Sequence, residues 1–198
     1  MVEFLHVCTP ESWVVHAAQS QQLLLVDHAN CERKAASSAL SMIYRYGERS
    51  KFSVQLSRIV REEMRHFEQV HALMQTLQIE YVHLSPSKYA REMHVYAREN
   101  KPTKIDDLLI ASIIEARSYE RFERLEVVLE GKVAKLYSKL KESEHRHFLT
   151  YLDLAKKIDE ETAINARIQE LLQYEAQLIT RFDDRFRFHS GDPVKAEG

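Results

Sequence analysis

The chain has 198 residues, a formal net charge of −2 and a mean hydropathy of −0.42. No apolar run approaches the roughly 20 residues that a membrane span needs, and no basic region with a long apolar stretch opens the chain as a secretory signal would. Two cysteines without a CxxC pair, Cys8 and Cys31, argue against a disulfide framework and fit a reducing cytoplasm. We therefore expect a soluble cytoplasmic protein with no membrane partner.

Few glycines and prolines, four of each, predict an all-α chain. A first helix begins near Thr9, with Thr9 as its cap and Pro10 in its first turn, breaks near residues 19–21 and runs to about Tyr46 before Gly47. By the 3.6-residue period, further helices cover about 50–77, 87–98, 104–130 (ended by Gly131), 132–157 and 160–182.

The long connection between the second and third long helices makes those two helices parallel, which is the arrangement of ferritin-like bundles. We predict one domain over residues 1–198, an all-α ferritin-like four-helix bundle with a long crossover between helices 2 and 3 and an additional C-terminal helix. The last residues, about ten, are expected to be a disordered tail.

A short pattern occurs twice in the chain. EMRHF at residues 63–67 matches EHRHF at 144–148, and each copy follows a helix that carries one Glu on a small or apolar face, Glu32 or Glu115. The separations are similar, because positions 32 and 63 are 31 apart and positions 115 and 144 are 29 apart. The chain therefore consists of two helix pairs, and each pair supplies one lone Glu and one Glu-x-x-His.

Glu and His at positions i and i+3 share one helix face, so both can point into a bundle core and bind the same ion. Four carboxylates and two imidazoles suit two divalent ions, and iron, manganese and zinc all accept these ligands. The predicted metal ligands, which would act in catalysis through the metals, are Glu32, Glu63, His66, Glu115, Glu144 and His147.

A second Glu-x-x-His unit, Glu142 with His145, overlaps the first. Its helix stripe is mostly polar, whereas the stripe through Glu144 is apolar and aromatic, so Glu142 and His145 are expected at the rim. A single Glu-x-x-His is usually a surface pair, but two copies on apolar stripes favour a dimetal site.

The roles of four neighbouring residues stay open. Tyr119 is a redox tyrosine or, more in keeping with its position, a hydrogen-bonded core tyrosine. His28 lines the metal pocket or is partly buried, and Asp27 bonds a ligand histidine or is exposed. Cys31 is expected to pack on another face.

With the six ligands placed, the chain resembles the MiaE family of tRNA-(2-methylthio-N6-isopentenyladenosine-37) hydroxylases. The resemblance extends over nearly the whole chain and rests on HANCERKAA, REEMRHFEQV, ASIIEARSYERF, SEHRHFLTYL and RFRFHSG, although His145 stands where a small residue is expected. It implies two iron ions (Fe2+/Fe3+) on the six ligands and hydroxylation of the isopentenyl side chain of the modified adenosine at position 37 of tRNA, with O2 as co-substrate. A reductase or ferredoxin-type electron donor is also implied, in a monomer or small homo-oligomer.

A tRNA substrate needs basic contacts, and two stretches offer them beside aromatic residues. The candidates are Lys88, Arg91, Arg98, Lys101 and Lys104 in the crossover and Arg181, Arg185 and Arg187 near the tail, where they alternate with Phe182, Phe186 and Phe188. The competing interpretation is a solvated face with apolar anchors.

Three other functions compete with tRNA hydroxylation. Iron oxidation or peroxide handling by a ferritin or rubrerythrin relative is one, although the chain lacks the CxxC of rubrerythrins. A di-iron hydroxylase of a small molecule is another, and a structural bundle without metal is the third. The ligand types alone do not separate iron from manganese.

Overall fold

Long helices account for most of the computed structural model, which describes residues 4–47, 50–99 and 103–195. The helices within these ranges are α1 (Glu11–Gln19), α2 (Gln21–Tyr46), α3 (Ser50–Thr76), α4 (Tyr89–Glu99), α5 (Lys104–Val128), α6 (Gly131–Lys156) and α7 (Glu161–Thr180). None of the described helices is long and apolar enough to cross a membrane.

Four of these helices form a bundle of two pairs. Helix α2 packs along α3 and α5 packs along α6, while α3 and α6 join the pairs. The crossover between α3 and α5 carries α4, which packs against α5 and α7. The predicted all-α bundle with a long crossover and an extra C-terminal helix is confirmed.

The apolar core is divided into two clusters, with a polar layer between them. Along α3, Leu56 and Ile59 belong to one cluster and Val70 to the other; along α6, Tyr137 belongs to the second cluster and Tyr151 to the first. Residues 63–66 and 144–147 lie between these positions, so both Glu-x-x-His units sit halfway along the bundle.

Two residues predicted to mark helix ends, Thr9 and Gly131, have other roles in the structure. Pro10, not Thr9, is the N-cap of α1, because the Thr9 hydroxyl donates to Glu120 Oε2 at 2.5 Å instead. Gly131 does not end α5, which stops at Val128. It begins α6 with φ +65°, a left-handed conformation that favours glycine.

The chain after α7 returns to the bundle, so the first residues of the predicted tail belong to a hydrogen-bonded loop. Residues 181–192, the C-terminal loop, close on themselves: Asp192 N donates to Arg181 O at 2.9 Å and Asp183 N to Asp192 O at 2.8 Å. Within the loop His189 and Ser190 are buried, and Arg121 donates to the carbonyl of Ser190 at 2.7 Å. Residues 196–198 lie outside the described ranges.

Candidate metal centre

The six side chains predicted as metal ligands lie together in the polar layer, and all are buried. They form two overlapping groups of four residues. Within each group, every residue offers one potential ligand atom, and these four atoms lie within 4.8 Å of one another. The first group is Glu32, Glu63, His66 and Glu144, and the second is Glu63, Glu115, Glu144 and His147.

Glu63 and Glu144 belong to both groups. Each group adds one histidine and one further carboxylate: His66 with Glu32 in the first, His147 with Glu115 in the second. Two adjacent ion positions with two shared carboxylates follow from this arrangement, so the cluster suits a metal pair rather than a single ion.

Several atoms of the cluster lie close together without forming hydrogen bonds. His147 Nδ1 is 2.7 Å from Glu63 Oε1, and His66 Nδ1 is 3.4 Å from Glu32 Oε2 and 3.6 Å from Glu144 Oε1. Within the described part of the chain, neither Nδ1 atom has a hydrogen-bond partner, nor do Glu63 Oε1 and Glu144 Oε1. Buried polar atoms are normally paired, and a shared cation would satisfy all four.

The electrostatics of the cluster also favour a cation. Burial, followed by repulsion between carboxylates, raises the pKa of Glu115 and Glu144 well above the usual value and also raises that of Glu63. Burial lowers the pKa of His66, but Glu32 and Glu63 outweigh it and raise the value to about 10. The protein alone therefore retains protons here, and divalent ions would supply the positive charge that lets the carboxylates ionise.

Sequence reasoning missed Glu62, which holds His147 from outside the cluster. His147 Nε2 lies 2.8 Å from Glu62 Oε2, and Arg146 Nη2 lies 3.4 Å from the same oxygen. A metal-bound histidine commonly donates its second ring N–H to a carboxylate in this way. The sequence did offer a signal for this residue, because REEMRH places a second Glu, Glu62, directly before the predicted ligand Glu63.

His28 lines the metal pocket, which decides between the two interpretations left open for it. It is fully buried among the rings of Phe122, Tyr137 and Phe188, and its Nε2 contacts Glu32 Oε1. Burial raises the pKa of Glu32, but the interactions with His28, His66 and Glu63 together outweigh burial, and the pKa falls well below the usual value.

The other neighbours differ from the expectations in part. Asp27 is neither exposed nor bonded to a ligand histidine in the described structure; its Oδ2 accepts a hydrogen bond from Phe188 N at 2.8 Å. Tyr119 is half-buried rather than a core residue, and burial, followed by its hydrogen bond to Glu123, raises its pKa to about 12. Glu142 is exposed and His145 half-buried, as expected for rim residues.

A cavity of about 550 Å³ lies beside the second ligand group. Glu115 lines it together with the apolar parts of Ala111, Ile114 and Tyr151. Cys31, expected to pack on another face, lines the cavity as well. Leu25 and Ala29, which flank Glu32 in the sequence, belong to the second apolar cluster.

Cations from three separate elements line the same cavity: Lys34 on α2, Lys88 and Arg91 at the start of α4, and Arg185 in the C-terminal loop. Lys88, Arg91 and Arg185 were predicted as tRNA contacts, and Lys34 was not. Both predicted stretches therefore contribute to one opening that reaches Glu115, a candidate metal ligand.

Three predicted tRNA contacts are engaged elsewhere. Arg187 donates to Ser85 O at 2.8 Å and to Phe186 O at 2.7 Å, so it fastens the C-terminal loop. Arg181 donates to Glu92 at 2.9 Å, and the Lys104 ammonium lies 3.9 Å from the Phe52 ring centre. Arg98 is exposed without lining the cavity, and Lys101 lies outside the described residues.

The phenylalanines of the C-terminal loop also depart from the prediction. Phe186 and Phe188 are buried in the second apolar cluster, so they are core anchors rather than surfaces for stacking bases. Phe182 is partly exposed and lies against Lys195, whose ammonium is 5.1 Å from the ring centre.

The chain is similar to proteins of one named family. The family described as tRNA-(MS[2]IO[6]A)-hydroxylase (MiaE) matches residues 1–190. A Pseudomonas putida protein named tRNA 2-(methylsulfanyl)-N(6)-isopentenyladenosine(37) hydroxylase is 39% identical over 191 residues, 96% of this chain and 93% of that protein. A Salmonella typhimurium protein of the same name is 35% identical and is matched over 98% of this chain and 90% of its own length.

One solved structure has the same fold and is named for a different activity. It is "Protein 43 with aldehyde deformylating oxygenase activity from Synechococcus", with a TM-score of 0.90, 34% identity and 96% of each chain covered. The family match nevertheless extends over almost the whole sequence, including both Glu-x-x-His units and the C-terminal loop up to Ser190. This chain belongs to the MiaE family of tRNA hydroxylases.

Proposed function

We propose that this protein is an O2-dependent di-iron monooxygenase that hydroxylates the isopentenyl side chain of the modified adenosine at position 37 of tRNA. The observation that carries the proposal is the cavity that connects Glu115 to the cations Lys34, Lys88, Arg91 and Arg185. The names of both relatives support the same substrate. Because tRNA is used in the cytoplasm, we place the activity there.

Glu32, Glu63, His66 and Glu144 would hold one iron, and Glu63, Glu115, Glu144 and His147 would hold the other. When bound, iron would supply the activation of O2 for a monooxygenation, which consumes O2, two protons and two electrons from a reductase or ferredoxin-type donor and yields the hydroxylated side chain and water. Glu62 orients His147, and His28 orients Glu32.

The cavity suits the two parts of such a substrate. Next to Glu115, Ala111, Ile114 and Tyr151 offer an apolar wall against which an isopentenyl group can exclude water. Around them, cations from α2, α4 and the C-terminal loop can bind phosphates of the anticodon loop. The protein's own task is therefore to hold the side chain against the metals and keep the surroundings dry.

A second candidate is an oxygenase that acts on a small molecule such as an aldehyde. The aldehyde deformylating activity for which the Synechococcus protein is named favours it, since that protein shares the fold at 34% identity. A free aldehyde is uncharged and gains little from four cations around the cavity, whereas the phosphates of a nucleic acid bind to them. The tRNA substrate is therefore the better fit.

The deciding experiment loads the protein with Fe(II), supplies a reductant and O2, and adds tRNA carrying isopentenyladenosine, with or without the methylthio group. Mass spectrometry of the digested tRNA should show a nucleoside one oxygen heavier. Glu144→Ala should abolish the product, whereas Glu142→Ala, an exposed residue on the same helix, should not. If two irons bind but only an aldehyde is consumed, the small-molecule alternative replaces this proposal.

A further inference from the structure

The surface along which α3 packs against α6 carries a group of exposed cations. We call it the α3–α6 cationic face, and its members are Arg58, Arg61 and Arg65 on α3 with Lys139 and Arg146 on α6. The carboxylates of the same two helices nearest to them are Glu62, Glu68 and Glu142, so the cations are in excess. Because the whole chain has a formal net charge of −2, this excess is a local feature.

Two contacts between the helices show that these cations share one surface. Lys139 Nζ lies 2.7 Å from Gln69 Oε1, and Arg146 Nη2 lies 3.4 Å from Glu62 Oε2. Residues three or four apart lie on the same helix face, so Arg65 is placed between the two contacts. Its Nη2 lies 4.0 Å from Glu62 Oε1.

Glu62 connects this face to the candidate metal centre. Its side chain is 28% exposed, and its Oε2 lies 2.8 Å from Nε2 of His147, whose side chain is 3% exposed. The other ring nitrogen of His147 is 2.7 Å from Glu63 Oε1. A molecule docked on the face would therefore have a single partly exposed side chain between itself and a candidate metal ligand.

The cationic face and the cavity use different parts of the bundle. The cavity is lined from α2, α4, α5 and the C-terminal loop, with Tyr151 as the contribution of α6. Among the described residues, none of α3 lines it. A partner on the α3–α6 cationic face would therefore leave the opening of the cavity free for the substrate.

The proposed monooxygenation defines what such a partner has to deliver. Each turnover consumes two electrons, and the rate of electron transfer falls steeply with the distance between donor and acceptor. A protein donor thus needs a close approach to the metals that the substrate does not block. Interfaces between electron-transfer proteins are small, and complementary charge brings such partners together.

We propose that the α3–α6 cationic face docks an acidic iron–sulfur protein of the ferredoxin type, and that electrons enter the metal centre beside His147. Two donor molecules each lose one electron, and two ferric ions of the loaded protein are reduced to ferrous ions. The inference rests on the proposed function, because it assumes that iron occupies the site and is reduced by a protein.

The test uses the iron-loaded full chain and a plant-type [2Fe–2S] ferredoxin as the probe. Arg58→Glu, Arg65→Glu and Lys139→Glu reverse charges on the face, singly and combined, without replacing Glu62. Arg98→Glu is the matched control, because Arg98 is an exposed cation on α4, which packs against α5 and α7. Calorimetry gives the Kd for ferredoxin, stopped-flow absorbance gives the rate at which reduced ferredoxin is oxidised, and tRNA affinity is measured in parallel.

We expect the combined variant to raise the Kd for ferredoxin about tenfold at low salt, with a smaller difference at high salt because ions screen exposed charges. Ferredoxin oxidation should slow, whereas photoreduced 5-deazariboflavin, a small uncharged reductant, should reduce the iron as fast as in wild type. Metal content and tRNA affinity should be unchanged. Arg185→Glu should show the reverse pattern, with weaker tRNA binding and wild-type binding of ferredoxin.

A wild-type experiment tests the same inference without any variant. Carbodiimide joins carboxylates to amines in direct contact, so ferredoxin should be coupled to Lys139 and not to Lys88 at the cavity. Coupling only at the cavity, or no binding of ferredoxin to wild type, overturns the proposal.

Equal Kd values for ferredoxin in the combined variant and in Arg98→Glu would also overturn it. If the combined variant loses tRNA affinity instead, the face is a nucleic-acid contact and the proposal is wrong. If ferredoxin reduces the iron through this face but no RNA is hydroxylated, the proposed function fails while the docking site stands.

Discussion

His147 Nε2 and Glu62 Oε2 lie 2.8 Å apart, so the ligand histidine of α6 is fixed by a carboxylate of α3 that is itself partly exposed. Glu62 precedes the shared carboxylate Glu63 in the chain. One turn of α3 thus provides both a candidate ligand and the support for a ligand from the opposite helix pair, and this contact joins the two copies of the repeated pattern.

The first prediction concerns that contact. Glu62→Ala should weaken metal binding by about 10- to 100-fold, because it removes the acceptor that orients His147. Competition with a chelator, followed by metal analysis, measures the change. Glu68→Ala, an exposed residue on the same helix, should bind metal like wild type. Equal affinity in both variants would mean that Glu62 is only a surface residue.

The second prediction separates shared from unshared ligands. Glu115→Ala leaves the group of Glu32, Glu63, His66 and Glu144 intact, so the protein should retain about one metal ion per chain. Glu144→Ala removes an oxygen from both groups and should lose both ions. Anaerobic Fe(II) titration gives the stoichiometry. Loss of both ions from Glu115→Ala would contradict two positions with separate outer ligands.

The third prediction distinguishes the cations at the cavity from the one that fastens the loop. Lys88→Ala, Arg91→Ala and Arg185→Ala should each weaken tRNA binding and reduce the slope of log affinity against log salt by about one. Arg58→Ala, an exposed arginine on α3, is the control.

Arg187→Ala should behave differently from the cavity cations. It should lower the unfolding temperature, because Ser85 O and Phe186 O lose their donor. An unchanged salt slope in all the cavity variants would exclude this opening as the tRNA site.

The fourth prediction is a pH dependence of stability. The folded-state pKa of His189 is depressed, whereas the unfolded chain titrates this histidine near its usual value of about 6.5. Below that pH the unfolded state binds a proton that the folded state does not, so the folded protein loses up to about 1.4 kcal/mol per pH unit. Urea unfolding at pH 7 and pH 5 should therefore show that His189→Phe loses less stability than wild type on acidification.

An equal loss in wild type and His189→Phe would mean that His189 is protonated in the folded protein. Measuring both proteins with the same metal content keeps the acid release of metal out of the comparison, since that loss is common to both.

The sequence predicted the helices and the clustering of six side chains because both depend on repeating local patterns. The period of 3.6 residues locates a helix, and an i to i+3 pair on an apolar stripe points inward wherever that helix packs. Glu63 and Glu144 were found in this way. The sequence did not show that both residues belong to both ligand groups, because this depends on how α3 packs against α6.

The roles of residues in the C-terminal loop could not be predicted from local sequence patterns. Arg185 and Arg187 are two residues apart in an alternating stretch, yet one lines the cavity and the other bonds carbonyl oxygens. Nothing in the local pattern distinguishes them, because the difference arises from the return of residues 181–192 onto α1, α2 and α5. Lys34 and His189 were missed for the same reason.

The candidate ligands all lie between residues 32 and 147, whereas Arg185 and His189 enter the cavity from a loop that closes after the last helix. The side chains that would hold metal ions and those that line the cavity from the C-terminal loop are thus encoded in different stretches of the gene. Substitutions after α7 can therefore change the lining of the cavity without altering any of the six side chains of the candidate metal centre.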